Sequence, residues 1–466
     1  MRKILLMWCV LMVVGACATY YQSNIGFNQE FEKGDLERAL KTLRTKSSGD
    51  ATGKKQFLFE VNNGLLLSLL GRYEESNHYF EKAFIYGEDY HINYLNEAAS
   101  YLTNPNFTAY KGEDHEHLML LYFKALNYLK MDKTEEALVE CRRLNIRLQQ
   151  LTDRYESETK YRKDAFIHTL MGIIYDAEKD YNNAFIAYRN AVEVYQDDYQ
   201  RLFKLNAPEQ LKADLLRTAW LSGMMDELAS YKKQFGMEDY EYKPHEGGDL
   251  VFFWHNGLSP VKVEWGINFF ITRRGDWITF TNPELGLSFP FNISGYDERD
   301  RRGLSNLEVF RVAFPKYVER REYYTSSAID FDGQRYPLQL LEDVNQVAFK
   351  CLDERMTLEL SKALIRVALK KASEYQLRKE DRMAGSLLGV INAITEKADT
   401  RNWQTLPHSI LYTRIPLHTG TNQVAFTTSD GQGHSQQHDF TYVVNNGQTL
   451  FHTFSSLESS YPTYNY

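Results

Sequence analysis

Two histidines separated by a single residue lie among acidic residues in the stretch GEDHEHLMLLY, residues 112–122. Imidazoles and carboxylates in one short run are the side chains that bind metal ions or transfer protons. A zinc-binding pair on a helix, however, has i and i+4 spacing, as in the H-E-x-x-H motif. His115 and His117 are two positions apart, which places them about 200° apart around a helix. The spacing therefore argues against a metal site.

The same stretch has the features of a helix N-terminus. Apolar residues recur at steps of three and four from Leu118 to Leu129, so we expect a helix that begins near Asp114. Glu113, Asp114 and Glu116 would then lie where carboxylates complement the free N–H groups and the positive end of the helix dipole. We predict that these acids cap the helix, and we predict no metal, no cofactor and no catalytic residue.

Four segments of the N-terminal half resemble one another: GDLERAL (34–40), GRYEESN (71–77), DKTEEAL (132–138) and DYNNAFI (180–186). Each contains a turn followed by a small residue, and small residues let two antiparallel helices approach closely. The pattern is similar to the inter-helix turn of tetratricopeptide repeats (TPR), although the spacing is uneven. It predicts a degenerate TPR-like α-solenoid, with an irregular helical bundle as the alternative.

The composition changes after Pro244. DLVFFWHNG, PVKVEWGINFFI and DWITFTN are rich in aromatic and β-branched residues and predict strands. Asp332-Gly333 and Asn446-Gly447 predict two β-hairpins with type I′ turns. Helical periodicity returns between about 343 and 399. The predicted fold class is therefore α+β, with an N-terminal TPR-like α-solenoid followed by an antiparallel β-sandwich-like domain that contains a helical insertion.

The N-terminus has the features of a secretory signal. Two basic residues precede an apolar stretch, residues 4–14, which is too short to span a bilayer as a permanent helix. Val14-Gly15-Ala16-Cys17 resembles a bacterial lipobox, in which cleavage precedes a cysteine that receives diacylglycerol. An ordinary signal peptide cut after Ala16 is the alternative. Lipidation of Cys17 predicts a protein anchored to the membrane rather than spanning it.

These observations divide the chain into six expected segments. They are a lipoprotein signal peptide (1–16), a tether (17–30), a TPR-like helical repeat domain (31–243), a β-rich segment (244–342), a helical insertion (343–400) and a β-rich C-terminal segment that completes the β domain (401–466). Ala18, in place of Asp after the cysteine, favours the outer membrane. The lipid anchor on Cys17 is therefore predicted to hold the protein at that membrane, facing the periplasm.

The charge balance excludes one class of partner. The chain carries 62 acidic and 54 basic residues, a net charge of −8. Binding to nucleic acid requires clustered lysine and arginine side chains that contact phosphates. We therefore expect no nucleic-acid partner.

Several motifs resemble an uncharacterised family of bacterial envelope lipoproteins with TPR-like repeats. Tyr110, the Gly-Glu-Asp that begins at Gly112, and LNYL (126–129) match the pattern of that family. NGLSPVKVEW (256–265) and EKADTRNWQTLP (396–407) extend the likeness over most of the chain. The resemblance implies a location and an architecture but no established activity.

Two hypotheses of function follow. The first is a non-catalytic scaffold or adaptor for cell-envelope assembly or maintenance, whose TPR-like surface binds an unknown envelope protein. The second is a ligand-binding protein or enzyme with a site at the interface of the helical and β halves. Asp399, Arg401 and Trp403 are its candidate ligand or partner contacts. Alternatively, Asp399 and Arg401 bond each other after a helix and Trp403 is a structural anchor.

Overall fold

The computed structural model describes most of the chain outside its N-terminus and the helical insertion. The described residues are 19–46, 48–93, 109–154, 164–295, 298, 309–354, 356, 364 and 398–459. The signal sequence, Cys17 and most of the insertion lie outside this set. No helix in the described ranges is long and apolar enough to cross a membrane.

Helices make up the N-terminal half. In chain order they are α1 (Tyr20–Ser23), α2 (Ile25–Glu32), α3 (Leu36–Lys46), α4 (Gln56–Leu69), α5 (Tyr73–Asn93), α6 (Asp114–Lys130), α7 (Thr134–Arg154), α8 (Ala165–Ala177), α9 (Tyr181–Val194), α10 (Gln200–Phe203), α11 (Glu209–Leu221) and α12 (Met225–Phe235). A π-helical turn at Tyr195–Tyr199 joins α9 to α10. Five helix pairs are joined by short turns: α2/α3, α4/α5, α6/α7, α8/α9 and α11/α12.

The five turns share one backbone geometry. Each has a residue with positive φ two positions before its second helix: Gly34, Gly71, Asp132, Lys179 and Gly223. The next N–H donates to a carbonyl five residues earlier, as in the bonds from Arg72 to Leu67 (2.8 Å) and from Met224 to Ala219 (2.9 Å). This is the 6→1 bond of a Schellman motif, which satisfies the last carbonyls of the first helix.

Small residues allow close contact within the pairs. Four buried ones follow the first four turns at the same offset: Ala39, Ser76, Ala137 and Ala184. In α8, a Cβ on Gly172 would lie 2.5 Å from the Tyr188 ring of α9. A side chain there would force the helices apart. The predicted helical repeat region is therefore confirmed, and a fifth pair about Gly223 adds to the four segments seen in the sequence.

Strands make up the C-terminal half. They are β1 (Gly248–Asn256), β2 (Val261–Arg274), β3 (Trp277–Asn282), β4 (Leu287–Asn292), β5 (Val309–Val318), β6 (Tyr324–Phe331), β7 (Gln334–Pro337), β8 (Gln339–Asp343), β9 (Ser409–Leu417), β10 (Gly420–Asp430), β11 (Ser435–Val444) and β12 (Thr449–Ser456). They form an inner sheet (β12-β1-β9-β8), an outer sheet (β11-β10-β6-β7) and a side sheet (β4-β3-β2-β5). A helix, α13 (344–354), follows β8.

Strand β1 shows how the layers are arranged. Leu250, Phe252 and Trp254 belong to the apolar core between the inner and outer sheets. The alternate residues Val251 and Phe253 belong to the core shared with the helices. Successive side chains of a strand point to opposite faces, so the inner sheet is buried on both sides. The molecule thus has the layer order helices, inner sheet, outer sheet, which confirms the α+β class.

The hairpin prediction at Asn446-Gly447 is wrong, whereas the one at Asp332-Gly333 is confirmed. Asp332 and Gly333 both have positive φ and join β6 to β7. Asn446 does not have positive φ, and its side chain accepts a bond from the N–H of Gly247 (3.1 Å). The chain therefore passes from the outer sheet to the inner sheet, where β12 pairs with β1 in parallel.

The tether prediction is also wrong for the part of 17–30 that the structure describes. Helix α1 begins at Tyr20 and α2 at Ile25, and Phe27 and Phe31 of α2 are buried. Asn28 donates a hydrogen bond to the Gln404 side chain (3.1 Å), which belongs to the β half. An amphipathic segment with a large apolar surface is more stable packed on the body than extended in water.

Candidate functional site

Helix α6, which contains the stretch with the two histidines, lies at the centre of the molecule. All residues from Glu113 to Asn127 are buried. Contacts to the β half run along the whole helix. They join Glu116 to the N–H of Trp403 (2.6 Å), the Tyr122 hydroxyl to His255 (2.8 Å) and Lys130 to the carbonyl of Phe451 (2.9 Å). Helix α6, the first helix of the pair α6/α7, is therefore buried between the two halves of the molecule.

The acids at the start of α6 cap the helix, as predicted. Glu113 is the N-cap residue, and the Glu116 side chain accepts its N–H (3.0 Å) in a capping box. Glu116 also accepts bonds from the hydroxyl of Tyr110 (2.8 Å) and from the backbone of Trp403. The capping carboxylate thus also bonds the β half.

A buried ion pair forms the second contact at this cap. The ammonium group of Lys262, on β2, hydrogen-bonds the carboxylate of Glu113. The two side chains are only 1% and 6% exposed, so both charges are out of water. The backbone N–H of Lys262 donates to the Asn402 side chain (3.2 Å), which fixes the strand that carries the ammonium group. Each ion therefore depends on the other half of the molecule for its partner.

The pKa of Glu116 is raised to about 7 by burial, with a further contribution from the negative charge of Glu113. Lys262 and the two backbone N–H donors oppose this rise. A carboxyl group with such a pKa exchanges a proton near neutral pH. The network around the cap is therefore sensitive to pH.

The two histidines contact different parts of the structure. His117 bonds the carbonyl of Lys111 (2.8 Å), and its ring lies 4.9 Å from that of Phe57. The His115 ring packs edge-on against Tyr317 of the β half at 6.1 Å. In the described part of the chain, no three His, Cys, Asp or Glu side chains are grouped so that they could hold a metal ion.

The three residues proposed for a ligand site lie at the same junction. Asp399 binds the Arg401 guanidinium through both oxygens (2.8 and 2.7 Å), and Arg401 also donates to the carbonyl of Lys54 (3.2 Å). Trp403 is fully buried, and its ring lies 6.1 Å from that of Phe123. The sequence placed these residues correctly at the interface of the halves. Their polar groups bond the chain itself, as in the structural alternative.

A second charged cluster joins the halves farther along the repeat. Arg414 of β9 contacts Asp176 of α8 (2.7 Å), Asp214 of α11 (3.0 Å) and Asp249 of β1 (3.2 Å). Arg217 pairs with Asp176 as well. Burial opposes ionisation of Asp176, but Arg414 and Arg217 hold the pKa of this carboxyl below its usual value. This cluster was missed in the sequence because its members are far apart and no motif marks them.

A groove that is open to solvent lies between second helices of the pairs, on the side of the repeat away from the charged cluster of Arg414. It lies between α5 and α7, has a volume of about 540 Å³, and includes Glu81, Tyr128, Val139 and Arg143 in its lining. At its base, Lys124 of α6 pairs with Glu140 (3.0 Å) and with Glu81. The groove is thus polar at its base and has apolar side chains at its rim.

The family model of the tetratricopeptide repeat matches residues 167–198, which cover most of α8 and all of α9. This pair contains Gly172 and Tyr188 in close contact. The chain therefore contains a tetratricopeptide repeat. Repeats of this kind generally mediate protein–protein contacts, so the helical half is an interaction scaffold.

Two solved structures show a weak likeness. BtubC (BKLC) from P. vanneervenii is 14% identical, with 48% of this chain and 83% of that chain covered and a TM-score of 0.32. The MamA protein is 12% identical, with 47% and 94% covered and a TM-score of 0.28. These values add nothing to the fold described above. No curated protein matches the chain.

Replacement of Glu116 by glutamine tests the pH sensitivity of the cap. The Glu116 carboxyl binds a proton more tightly in the folded state, where its pKa is about 7, than in the unfolded chain, where its pKa is 4.5. This difference stabilises the folded state fully below pH 4.5, and the stabilisation is lost as the pH rises through about 7. Glutamine keeps a capping acceptor and does not ionise. The free energy of unfolding of the wild type should therefore fall relative to Glu116→Gln between about pH 5 and about pH 8.

The matched control is Glu74→Gln, whose side chain is 83% exposed. Its free energy of unfolding should follow that of the wild type at every pH. If Glu116→Gln also follows the wild type, the cap does not titrate near neutral pH.

Replacement of Arg414 by methionine tests the second cluster. Removal of one partner from a buried ion network costs about 3–5 kcal/mol. The control, Arg335→Met, breaks an exposed pair with Asp330 and should cost less than about 1 kcal/mol. Urea denaturation of both variants measures the difference. Equal losses in the two variants would show that the Arg414 cluster does not stabilise the junction.

Proposed function

We propose that the protein is a non-catalytic scaffold of the bacterial envelope, anchored to the outer membrane by a lipid on Cys17 and facing the periplasm. The anchor is supported by the basic, apolar and lipobox-like pattern that precedes Cys17. The scaffold role is supported by the repeat match at residues 167–198. The resemblance to envelope lipoproteins supports a task in envelope assembly or maintenance.

The geometry favours the second helices as the surface for the partner. The inner sheet covers α6 and contacts α8 and α11 through Arg414, so these three first helices are engaged within the chain. The second helices expose large apolar side chains at Ile85 on α5, Val139 and Ile146 on α7, and Ile186 on α9. Among the first helices, α2 and α11 each expose one, and α6 and α8 expose none. Exposed apolar residues beside a groove are typical of protein-binding surfaces. The contrast between the buried helix α6 and the exposed apolar residues of α7 carries the proposal.

Helix α7 provides the most continuous part of this surface. Val139 and Ile146 are 42% and 56% exposed and lie seven residues apart, on one face of the helix. Arg143 lies between them and pairs with Glu81 across the groove (3.1 Å). A partner segment with an apolar side and a polar edge would fit this combination. The proposed partner is therefore an envelope protein that binds along α7.

Site-specific crosslinking in cells tests this surface. A photoreactive amino acid at Val139 should capture one defined protein, because apolar interface residues lie within van der Waals distance of the partner. The control position is Val443 on β11, which is 69% exposed and belongs to the outer sheet. The measurement is identification of the captured protein by mass spectrometry. Capture of the same proteins from both positions would contradict the proposal.

Fractionation of the same cells tests the anchor separately. With Cys17→Ala, the protein should leave the outer-membrane fraction, because acyl chains provide the stable attachment. If the purified native protein carries no lipid on Cys17, the anchor is wrong, whatever the crosslinking shows. If Cys17 carries its lipid but position 139 captures no specific protein, only the proposed binding surface on α7 is contradicted.

A further inference from the structure

The side sheet has two different faces. Ile267, Phe269 and Phe280 point to one side, where they form an apolar core with Leu364 of the insertion. The alternate residues of β2 to β5 form the opposite side, here called the open face. Most of the open face is exposed to solvent. One face of the side sheet is therefore buried against an apolar core, and the other face is exposed to solvent.

Large apolar side chains lie on the open face. Phe270 and Val309 are directly opposite each other on β2 and β5 and are 48% and 52% exposed. Trp277 of β3 is 49% exposed. Trp277 is paired with a residue of β2 that lies four positions from Phe270, so the two aromatic residues are about 14 Å apart along the strand direction at about 3.4 Å per residue. The apolar contacts therefore spread over the face and do not form a single pocket.

Two arginines accompany these side chains. Arg274 lies directly opposite Trp277 in the register of β2 and β3. Arg311 of β5 is opposite Asn268 in the register, and its side chain lies over Gly266, where a Cβ would come within 2.0 Å of the Arg311 Nε atom. The guanidinium group of Arg311 therefore lies against the sheet and does not extend away from it. Glycine at position 266 provides the space for this arrangement.

The arginines of the open face differ from most others in the described ranges. Arg335, Arg401 and Arg414 each contact a carboxylate. In the described residues, no carboxylate lies within 4.0 Å of Arg274 or Arg311. Glu264, at the far end of the face, accepts a bond from the backbone of Ala398 (3.0 Å). The open face is therefore locally positive on a chain whose net charge is −8.

We infer that the open face binds a bilayer surface that contains anionic phospholipid. Arginine forms bidentate hydrogen bonds with phosphate, and tryptophan and phenylalanine are favoured at the headgroup level of a bilayer. The serine and threonine side chains between them can bond headgroups. A positive face with spread apolar side chains matches an extended, negative surface, whereas the acidic remainder of the chain is repelled by it.

Vesicle flotation of the chain from residue 17 onwards, carrying Cys17→Ala and lacking the apolar signal segment 1–16, tests this inference without a lipid anchor. Vesicles of phosphatidylcholine are compared with vesicles that also contain phosphatidylglycerol. Binding should prefer the anionic vesicles and weaken as salt increases. Arg274→Gln combined with Arg311→Gln should lower that preference by roughly five-fold per arginine. Phe270→Ala combined with Trp277→Ala should lower the binding further by removing the apolar contacts.

Two matched controls separate the open face from general effects. Arg335→Gln removes an arginine from the outer sheet, and Val443→Ala removes an exposed apolar side chain there. Both should leave flotation unchanged. The inference fails if anionic vesicles are not preferred, as expected for a face that binds a polysaccharide or a protein. It also fails if Arg335→Gln reduces the preference as much as the two open-face substitutions. The scaffold proposal stands or falls independently, because its crosslinks are formed from α7.

Discussion

Charged groups that are buried where the two halves meet constrain the whole molecule. Lys262 and Glu113 are out of water and satisfy each other only when β2 lies against the start of α6. Arg414 pairs with Asp176 and Asp214 across the same junction, in addition to the pairs that Arg217 and Asp249 form within each half. A buried charge without its partner costs several kcal/mol, so neither half can separate without a large penalty. The helical repeats and the β domain are therefore one cooperative unit, joined by these polar contacts and by the apolar core that they share.

This constraint decides which surface is available for binding. Helix α6 is covered by the chain's own inner sheet, and α8 and α11 are bound to that sheet through Arg414. The second helices remain in contact with solvent and expose Val139 and Ile146. The side sheet contacts the junction through Lys262 of β2 and Tyr317 of β5, and its open face remains exposed to solvent. The fold thus has two candidate surfaces, one for a protein and one for a membrane, and both can be occupied without disturbing the buried junction.

The sequence predicted local features well because they depend on short-range chemistry. Periodicity and acidic residues located the start of α6 near Asp114, and recurrent turns identified four helix pairs. The fifth pair was missed because Leu228 stands where the others have a small residue. The pairing of Lys262 with Glu113 could not be predicted, since 149 positions separate them. At Asn446-Gly447 the dipeptide suggested a local hairpin, but pairing of β12 with β1 determined the path.

Amide hydrogen exchange of α6 in the intact protein tests the central claim most directly. If the inner sheet and the neighbouring helices seal this helix, its amides exchange only through global unfolding. Helix α12 provides an internal reference, because none of its residues is buried. The account predicts that residues 114–130 are among the slowest to exchange in the chain and α12 among the fastest. Exchange of α6 at the rate of α12 would show that the junction opens readily and that the two halves are not one unit.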